Sequence, residues 1–183
     1  MGIRTFFQSR SLRKLEQVNN RHKEMKHMSK IHTVLILFSV PSLKSLDKWK
    51  QHFNNLSREK IKFSYIFYVQ QKNESDFEQA DNSLTFFHSS LKWNGLLKET
   101  NSLNELIQKK FDLVIDLNFE NVFLLNWIFV KANTALRVGY GHQTTLTSFY
   151  DLTILTNDPK NQPKLYIDQV FYFLDKINSN EIK

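Results

Sequence analysis

Short apolar segments alternate with helical patterns along most of this chain, and this alternation constrains the fold more than any other feature. Six segments are short, apolar or aromatic, and rich in β-branched residues, as strands inside a sheet are. They are residues 31–38, 62–69, 84–87, 111–117, 136–140 and 150–155. Strands that alternate with helices form mostly parallel sheets, because each parallel connection needs a crossover that covers one face of the sheet.

Between these segments, apolar residues recur at steps of three and four, the spacing of one face of a helix. In residues 43–56 the apolar positions share one face, and Ser42 precedes them as an N-cap. Further helices are predicted at residues 102–110, 121–133 and 159–178. We therefore expect a three-layer, Rossmann-like α/β domain over residues 31–183, with a mostly parallel sheet of five or six strands, preceded by a basic amphipathic helical segment over residues 1–30.

Basic charge is concentrated in that first segment. It contains two acidic residues and eight basic ones, which are Arg4, Arg10, Arg13, Lys14, Arg21, Lys23, Lys26 and Lys30. It supplies +6 of the formal net charge of +7, so the other 153 residues are nearly neutral. Apolar residues recur at helical steps from Leu12 to Met28, which predicts a helix with Ser9 or Ser11 as its N-cap.

Three roles are open for this segment. Its apolar stripe can pack on its own domain, with the lysines and arginines simply hydrated. Its cationic face can instead bind the phosphates of a polyanion, RNA rather than DNA. Alternatively, Ile3, Phe6 and Phe7 can enter a membrane interface while the basic residues contact anionic lipid.

Several classes of site have no signature in the sequence. The chain has no Cys, which excludes disulfides, thiol catalysis and Cys-ligated metals. It has four Gly and neither glycine-rich phosphate-binding motif, so a standard dinucleotide site or P-loop is not expected. The histidines lack metal-ligand spacing, and we predict no metal and no cofactor. No apolar run reaches the roughly 18 residues that cross a bilayer, and no secretory signal is recognisable, so we expect a cytoplasmic protein without a transmembrane segment.

Polar residues follow the fourth and fifth predicted strands. Asp116 lies near the end of the fourth strand, Asn118 and Glu120 follow that strand, and His142 follows the fifth. Because the carboxyl ends of parallel strands meet at one edge of a sheet, Asp116, Glu120 and His142 are the catalytic candidates for a small-ligand enzyme, with a carboxylate tuned for acid/base work. In the alternative that we favour, Asn118 and Asn121 cap the next helix and Glu120 interacts with its dipole.

The runs "LKWNGLLKE" and "FDLVIDLNFENVFLLNWIFVKANTALRVGY" resemble an uncharacterised family of small bacterial proteins, a domain of unknown function. In that family a Trp-Asn-Gly element precedes a Phe-Asp-Leu-hydrophobic strand. The resemblance covers about residues 84–178, and it implies a fold and no established activity. Trp93 of the Trp-Asn-Gly element is expected to anchor its loop to the core, with stacking on a base or sugar as the alternative.

Residues 111–141 are also similar to the amino-terminal half of the heptosyltransferase-like glycosyltransferases. Those enzymes have two Rossmann-like halves and bind the sugar nucleotide mainly through the second, which this chain is too short to contain. The likeness therefore implies architecture and not activity.

The leading functional hypothesis is a non-catalytic cytoplasmic binding protein. Its basic segment, from Arg4 to Lys30, would dock on RNA or a ribonucleoprotein while the α/β body contacts a protein partner. One alternative is a small-ligand enzyme on a degenerate glycosyltransferase-like fold. Another is a peripheral membrane-associated protein.

Overall fold

The computed structural model describes residues 3–19, 21–54, 60–71, 82–98, 101–141, 146–158 and 160–177. The helices in these ranges are α1 (Ile3–Val18), α2 (Leu43–Asn54), α3 (Asn101–Gln108), α4 (Phe123–Lys131) and α5 (Pro163–Lys176). The strands are β1 (Thr33–Val40), β2 (Lys62–Val69), β3 (Ser83–Phe87), β4 (Phe111–Leu117), β5 (Thr134–Tyr140) and β6 (Leu152–Ile154). Short 3₁₀ turns cover Met28–Lys30, His88–Ser90 and Thr147–Phe149.

The six strands form one sheet in the order β3-β2-β1-β4-β5-β6, and every neighbouring pair is parallel. This confirms the predicted α/β class and its parallel sheet. The chain winds outward in one direction from β1 and in the other from β4, so the strand order reverses between these two central strands. In open parallel sheets, ligands bind at the carboxyl ends of the strands near such a reversal.

Helices cover both faces of the sheet. One face packs against α2 and α5 through side chains such as Ile36, Ile115 and Val170. The other face packs against α3, α4 and α1 through side chains such as Val114 and Leu125. Two apolar cores on opposite faces of a parallel sheet account for the near-continuous apolar sequence of its central strands.

The basic amino-terminal segment is a helix only in its first half. The predicted helix is confirmed as α1, which packs on α4 and leaves only 2% of Leu12 exposed. The predicted extension to Met28 is wrong, because α1 ends at Val18 and residues 21–27 have no regular secondary structure. The Asn19 side chain donates to the carbonyl of Val130 at 2.7 Å, and such tertiary contacts outweigh helical spacing.

Two expected helix caps have different outcomes. Ser9 and Ser11 lie inside α1, which begins at Ile3, so the prediction that one of them is its N-cap is wrong. Ser42 is confirmed ahead of α2, where its hydroxyl accepts a hydrogen bond from the backbone N–H of Ser45 at 3.4 Å.

Across the described residues, no helix is both long enough and apolar enough to span a bilayer.

Candidate functional site

Asp116 lies on β4 near its carboxyl end, beside β1 at the centre of the sheet. It is 1% exposed, and both carboxylate oxygens accept hydrogen bonds. Oδ1 accepts from the backbone N–H of Asn118 at 2.9 Å, and Oδ2 accepts from the hydroxyl of Tyr150 at 2.7 Å. Burial raises the pKa of Asp116 to about 6, although both hydrogen bonds act to lower it.

Tyr150 reaches Asp116 because β5 leaves room for its ring. The ring packs edge-on against Phe129, with centroids 5.2 Å apart. A Cβ at Gly139 would lie 2.1 Å from two ring atoms of Tyr150, so only glycine fits at that position of β5. Burial and the adjacent Asp116 carboxylate raise the pKa of Tyr150, which therefore keeps its proton and acts as the donor.

Three asparagines hold the turn between β4 and α4. Asn118 Oδ1 accepts from the backbone N–H of Val122 at 2.9 Å, and its Nδ2 donates to the Val122 carbonyl at 3.0 Å and to Asn126 Oδ1 at 2.7 Å. Asn126 Nδ2 donates to Asn121 Oδ1 at 2.7 Å. Asn121 has φ 53°, a left-handed conformation that Asn adopts more readily than most residues.

The asparagines hold the start of α4, as the favoured alternative predicted, but they do not do so as N-cap residues. The N-cap residue of α4 is Val122, which makes no side-chain capping bond. Neither Asn118 nor Asn121 occupies the cap position. The Asn118 side chain instead forms hydrogen bonds with the backbone N–H and the carbonyl of Val122. These side-chain contacts fix the turn between β4 and α4.

Two of the three catalytic candidates have different bonding partners in the described residues. Glu120 forms an ion pair with Lys160, whereas Asp116 bonds to Tyr150. His142 lies outside the residues that the structure describes. Within the described ranges, no group of three or more His, Asp or Glu side chains is arranged to hold a metal ion.

The eight basic residues of the amino-terminal segment separate into distinct environments. Arg21 is buried and pairs with Asp151 at 2.5 Å, and Lys26 pairs with Asp112 at 2.6 Å. Lys23 and Lys30 are exposed beyond the end of α1. The exposed cations of α1 itself are Arg10, Arg13 and Lys14. Ile3 and Arg4 belong to α1, but their side chains lie outside the description.

Glu16 is the one acidic residue of α1, and it faces inward. Its carboxylate pairs with the buried guanidinium of Arg137 at 2.6 Å, and Arg137 also donates to the Val130 carbonyl at 2.5 Å. Burial lowers the pKa of Arg137, and the bond to Glu16 opposes that shift. Sequence analysis did not identify Arg137, because the middle of a strand gives no signal of an ion pair with a helix 121 positions earlier.

Exposed aromatic side chains border a groove between α1 and the loop at residues 91–97. Phe6, Phe7 and Trp93 are 56%, 61% and 85% exposed. The groove has a volume of about 550 Å³ and is lined by Phe7, Gln8, Ser11, Trp93, Asn94, Leu96 and Phe123. We name these seven residues the aromatic groove.

The expectation that Trp93 anchors its loop is wrong. The loop is held by Leu97, which is buried, and by a bridge between Leu91 and Leu97. Gly95 has φ 85°, a conformation that favours glycine and turns the chain sharply. The turn leaves Trp93 on the outer side of the loop, where its ring is available for contacts with another molecule.

A second cavity adjoins the aromatic groove at the carboxyl edge of the sheet. It has a volume of about 450 Å³ and is lined by Tyr68, Gln70, His88, Leu91, Gly95, Val122, Phe123 and Leu124. Phe123 lines both spaces. The hydroxyl of Tyr68 and Nδ1 of His88 are 2.7 Å apart and provide polar groups on the wall. The Trp-Asn-Gly element contributes residues to both spaces, but most of the other lining residues lie far from it in the sequence, so sequence analysis did not find either space.

Comparison with known proteins identifies a family whose function is unknown. A family model described as "Family of unknown function (DUF6913)" matches residues 4–177, which confirms the predicted resemblance to a domain of unknown function. No curated protein and no solved structure matches the chain. The predicted likeness to heptosyltransferase-like enzymes is not supported by these comparisons.

Proposed function

This chain belongs to the DUF6913 family of unknown function, and on that premise we propose that it is a non-catalytic cytoplasmic protein that docks on RNA or a ribonucleoprotein through the outward face of α1. The observation that carries the proposal is the exposed trio Arg10, Arg13 and Lys14. These residues are three and four positions apart, so they lie on one side of the helix.

The outward face of α1 keeps its positive charge because the carboxylate of Glu16 pairs with Arg137 on the inner side and does not neutralise the outward cations. Glu16 is held by Arg137 on the inner side, next to the buried Leu12. Across the described part of the chain, Arg10, Arg13 and Lys14 have no ion pair and no side-chain hydrogen bond. Cations on one face without local partners attract phosphates independently of nucleotide sequence.

This proposal narrows the predicted set of eight cations. Arg21 and Lys26 hold the segment to the body through Asp151 and Asp112, so their charges are already compensated. Lys30 lies three residues before β1, at the amino edge of the sheet and beyond the carboxyl end of α1. The proposed phosphate contacts are therefore centred on Arg10, Arg13 and Lys14, and not on the whole segment.

The enzyme alternative has less support from the geometry. A catalytic carboxylate must reach a substrate, but Asp116 is buried with both oxygens bonded. The membrane alternative has one observation in its favour, since Phe6 and Phe7 are exposed beside the cations of α1. We therefore keep membrane attachment as a second candidate that the same experiment distinguishes.

The test measures binding of fluorescently labelled RNA by anisotropy, in a salt series from about 50 to 200 mM. It compares the full chain with a triple variant carrying Arg10→Glu, Arg13→Glu and Lys14→Glu. A charge-matched control carries Lys60→Glu, Lys109→Glu and Lys110→Glu, three exposed lysines before the amino ends of β2 and β4. Circular dichroism checks that both variants remain folded.

We expect the α1 variant to lose more than about tenfold in affinity and its logarithmic salt slope to fall by about 2, because roughly 0.7 to 0.9 is lost per phosphate contact. The control should bind like the unmodified chain. Equal weakening of both variants contradicts the proposal, since it would show only a response to net charge. Binding to anionic phospholipid vesicles but not to RNA, abolished by Phe6→Ser and Phe7→Ser, would favour the membrane candidate.

A further inference from the structure

We infer that the aromatic groove takes unpaired nucleobases, so that the RNA bound by this protein is single-stranded where it crosses the groove. The inference rests on the proposed docking of RNA on α1 and adds the class of RNA to it. The bases would stack on Trp93 and Phe7, while the phosphates would contact cations on both banks of the groove.

The first argument is the exposure of the two rings. Trp93 is 85% exposed and Phe7 is 61% exposed, and both line the same groove, with Phe123 as the third ring. Large apolar rings that remain in water at a concave surface are typical of binding sites. Stacking of a base on such a ring is tolerant of nucleotide sequence, and each stacked base strengthens binding by about tenfold.

The second argument is the position of the charges. Arg10 is three residues after Phe7, and Lys14 is three residues after Ser11, so both cations flank the helical wall of the groove. Lys92 is exposed next to Trp93 on the opposite wall. An apolar peptide would gain nothing from cations on both banks, whereas a chain of phosphates carrying stackable bases is complementary to them.

The third argument is the polar lining between the rings. Gln8, Ser11 and Asn94 line the groove, and within the described ranges Gln8 Nε2 makes one hydrogen bond, a long contact of 3.4 Å to the Asn94 carbonyl. Amide and hydroxyl groups can hydrogen-bond the edges of an unpaired base, as single-stranded RNA recognition requires. A lipid tail would instead cover the Gln8 amide without offering it a hydrogen-bond partner, which is costly.

The adjoining cavity extends the space that a single-stranded RNA can occupy beyond the aromatic groove. It shares Phe123 with the groove, and its residue Gly95 directly follows Asn94 of the groove. His88 supplies an exposed imidazole on its wall, and Nδ1 of that ring is 2.7 Å from the hydroxyl of the buried Tyr68. The two spaces together give room for neighbouring bases along the carboxyl edge of the sheet, and a base-paired helix could not present its bases there.

The test compares a fluorescein-labelled oligouridylate of about ten nucleotides with an RNA hairpin of equal length and charge, whose unpaired nucleotides are confined to a short loop, using the full chain. The variants are Trp93→Ala, Phe7→Ala and the conservative Trp93→Phe. Phe173→Ala is the matched control, because Phe173 is an exposed ring on α5, on the other face of the sheet.

We expect Trp93→Ala and Phe7→Ala each to weaken oligouridylate binding by about tenfold without changing its salt slope, because no charge is removed. Trp93→Phe should retain most of the affinity, and Phe173→Ala should retain all of it. Hairpin binding should be weaker than oligouridylate binding in the unmodified chain and indifferent to Trp93→Ala.

The outcomes separate this inference from the docking proposal. If the hairpin and the oligouridylate bind equally, and Trp93→Ala changes neither while the α1 charge reversals abolish both, the inference is wrong and docking on α1 stands. If neither RNA binds, both are wrong. If Phe7→Ala and Trp93→Ala abolish binding to anionic vesicles and RNA does not bind, the groove belongs to a membrane-facing surface and the inference is overturned.

Discussion

The hydroxyl of Tyr150 donates a 2.7 Å hydrogen bond to Oδ2 of Asp116, and this bond joins the loop before β6 to the centre of the sheet. Asp116 is almost fully buried, so the phenol supplies part of the stabilisation that water would give to a carboxylate. The pair therefore acts as a structural connection between β4 and the chain that follows β5. Its energetic role leads to the first three predictions.

Removing the hydroxyl in Tyr150→Phe should lower the free energy of unfolding by about 1–3 kcal/mol at pH 7. The buried carboxylate then keeps one donor, the backbone N–H of Asn118, and desolvation is no longer fully compensated. Urea denaturation measures the change. Tyr172→Phe is the control, because Tyr172 is exposed, and its effect should stay within about 0.5 kcal/mol. Equal effects would show that the bond contributes nothing.

The pH dependence of stability should carry the signature of Asp116. Its pKa is raised to about 6 in the folded protein, compared with about 3.9 in an unfolded chain. The folded state therefore holds the proton more tightly, and this stabilisation is complete below about pH 4 and lost as the pH rises through 6, with a slope approaching roughly 1.4 kcal/mol per pH unit.

Asp116→Asn should remove that part of the pH dependence. Measured from pH 4 to pH 6, the stability of the variant should therefore rise relative to that of the unmodified protein. Asp112 titrates in a different pH range. Burial acts to raise its pKa, but hydrogen bonds from Lys26, His32 and Thr33 lower it to about 2. Its stabilisation is lost as the pH falls from about 4 toward 2, outside the window of Asp116. Parallel curves for the variant and the unmodified protein would contradict the prediction.

Gly139→Ala should destabilise the protein through Tyr150. The new methyl group would meet the ring at 2.1 Å, and overpacking of this kind costs about 1–3 kcal/mol. In a Tyr150→Ala background the ring is gone, so the same substitution should cost much less. A double-mutant cycle by urea denaturation measures this coupling. Additive effects would mean that the strain arises elsewhere in β5.

Glu16→Ala should loosen α1 from the body. It leaves the guanidinium of Arg137 buried without its carboxylate, and breaking such a pair costs roughly 3 kcal/mol, although alanine itself favours the helix. Asp168→Ala is the control, because it removes the exposed Lys164–Asp168 pair and should cost less than about 1 kcal/mol. Hydrogen exchange of α1 amides locates the loss. If the control is as damaging as Glu16→Ala, the burial of Arg137 has no special effect.

The fold was predictable because its central strands are uniformly apolar. β1 and β4 are buried on both faces, and their short apolar runs reflect that burial directly. The end of α1 was not predictable from spacing. Met25 and Met28 continue the helical periodicity, but in the structure they pack on the opposite face of the sheet, against the core of α2 and α5. Periodicity records which residues are apolar and not which core they join.

The candidate site was predictable only in part. The location of Asp116 follows from its place at the end of an apolar run, but its partner Tyr150 is 34 residues further along the chain. The aromatic groove joins Phe7 to Trp93, which is 86 residues away. Such pairs form through tertiary packing, so they cannot be predicted from the pattern of neighbouring residues in the sequence. The exposure of Trp93 depends on the left-handed turn at Gly95, which sets the direction of the loop.

The distance along the chain between Glu16 and Arg137 has a consequence during synthesis. Arg137 is added 121 residues after Glu16, and α4, the helix on which α1 packs, also emerges late. At about 5–20 residues per second, the ribosome takes roughly 6 to 24 seconds to produce that partner. Throughout this interval the nascent chain carries Leu12, Glu16 and the cations of α1 without the surface that later holds them, so α1 stays exposed to solvent and to other molecules while its docking site is still being made.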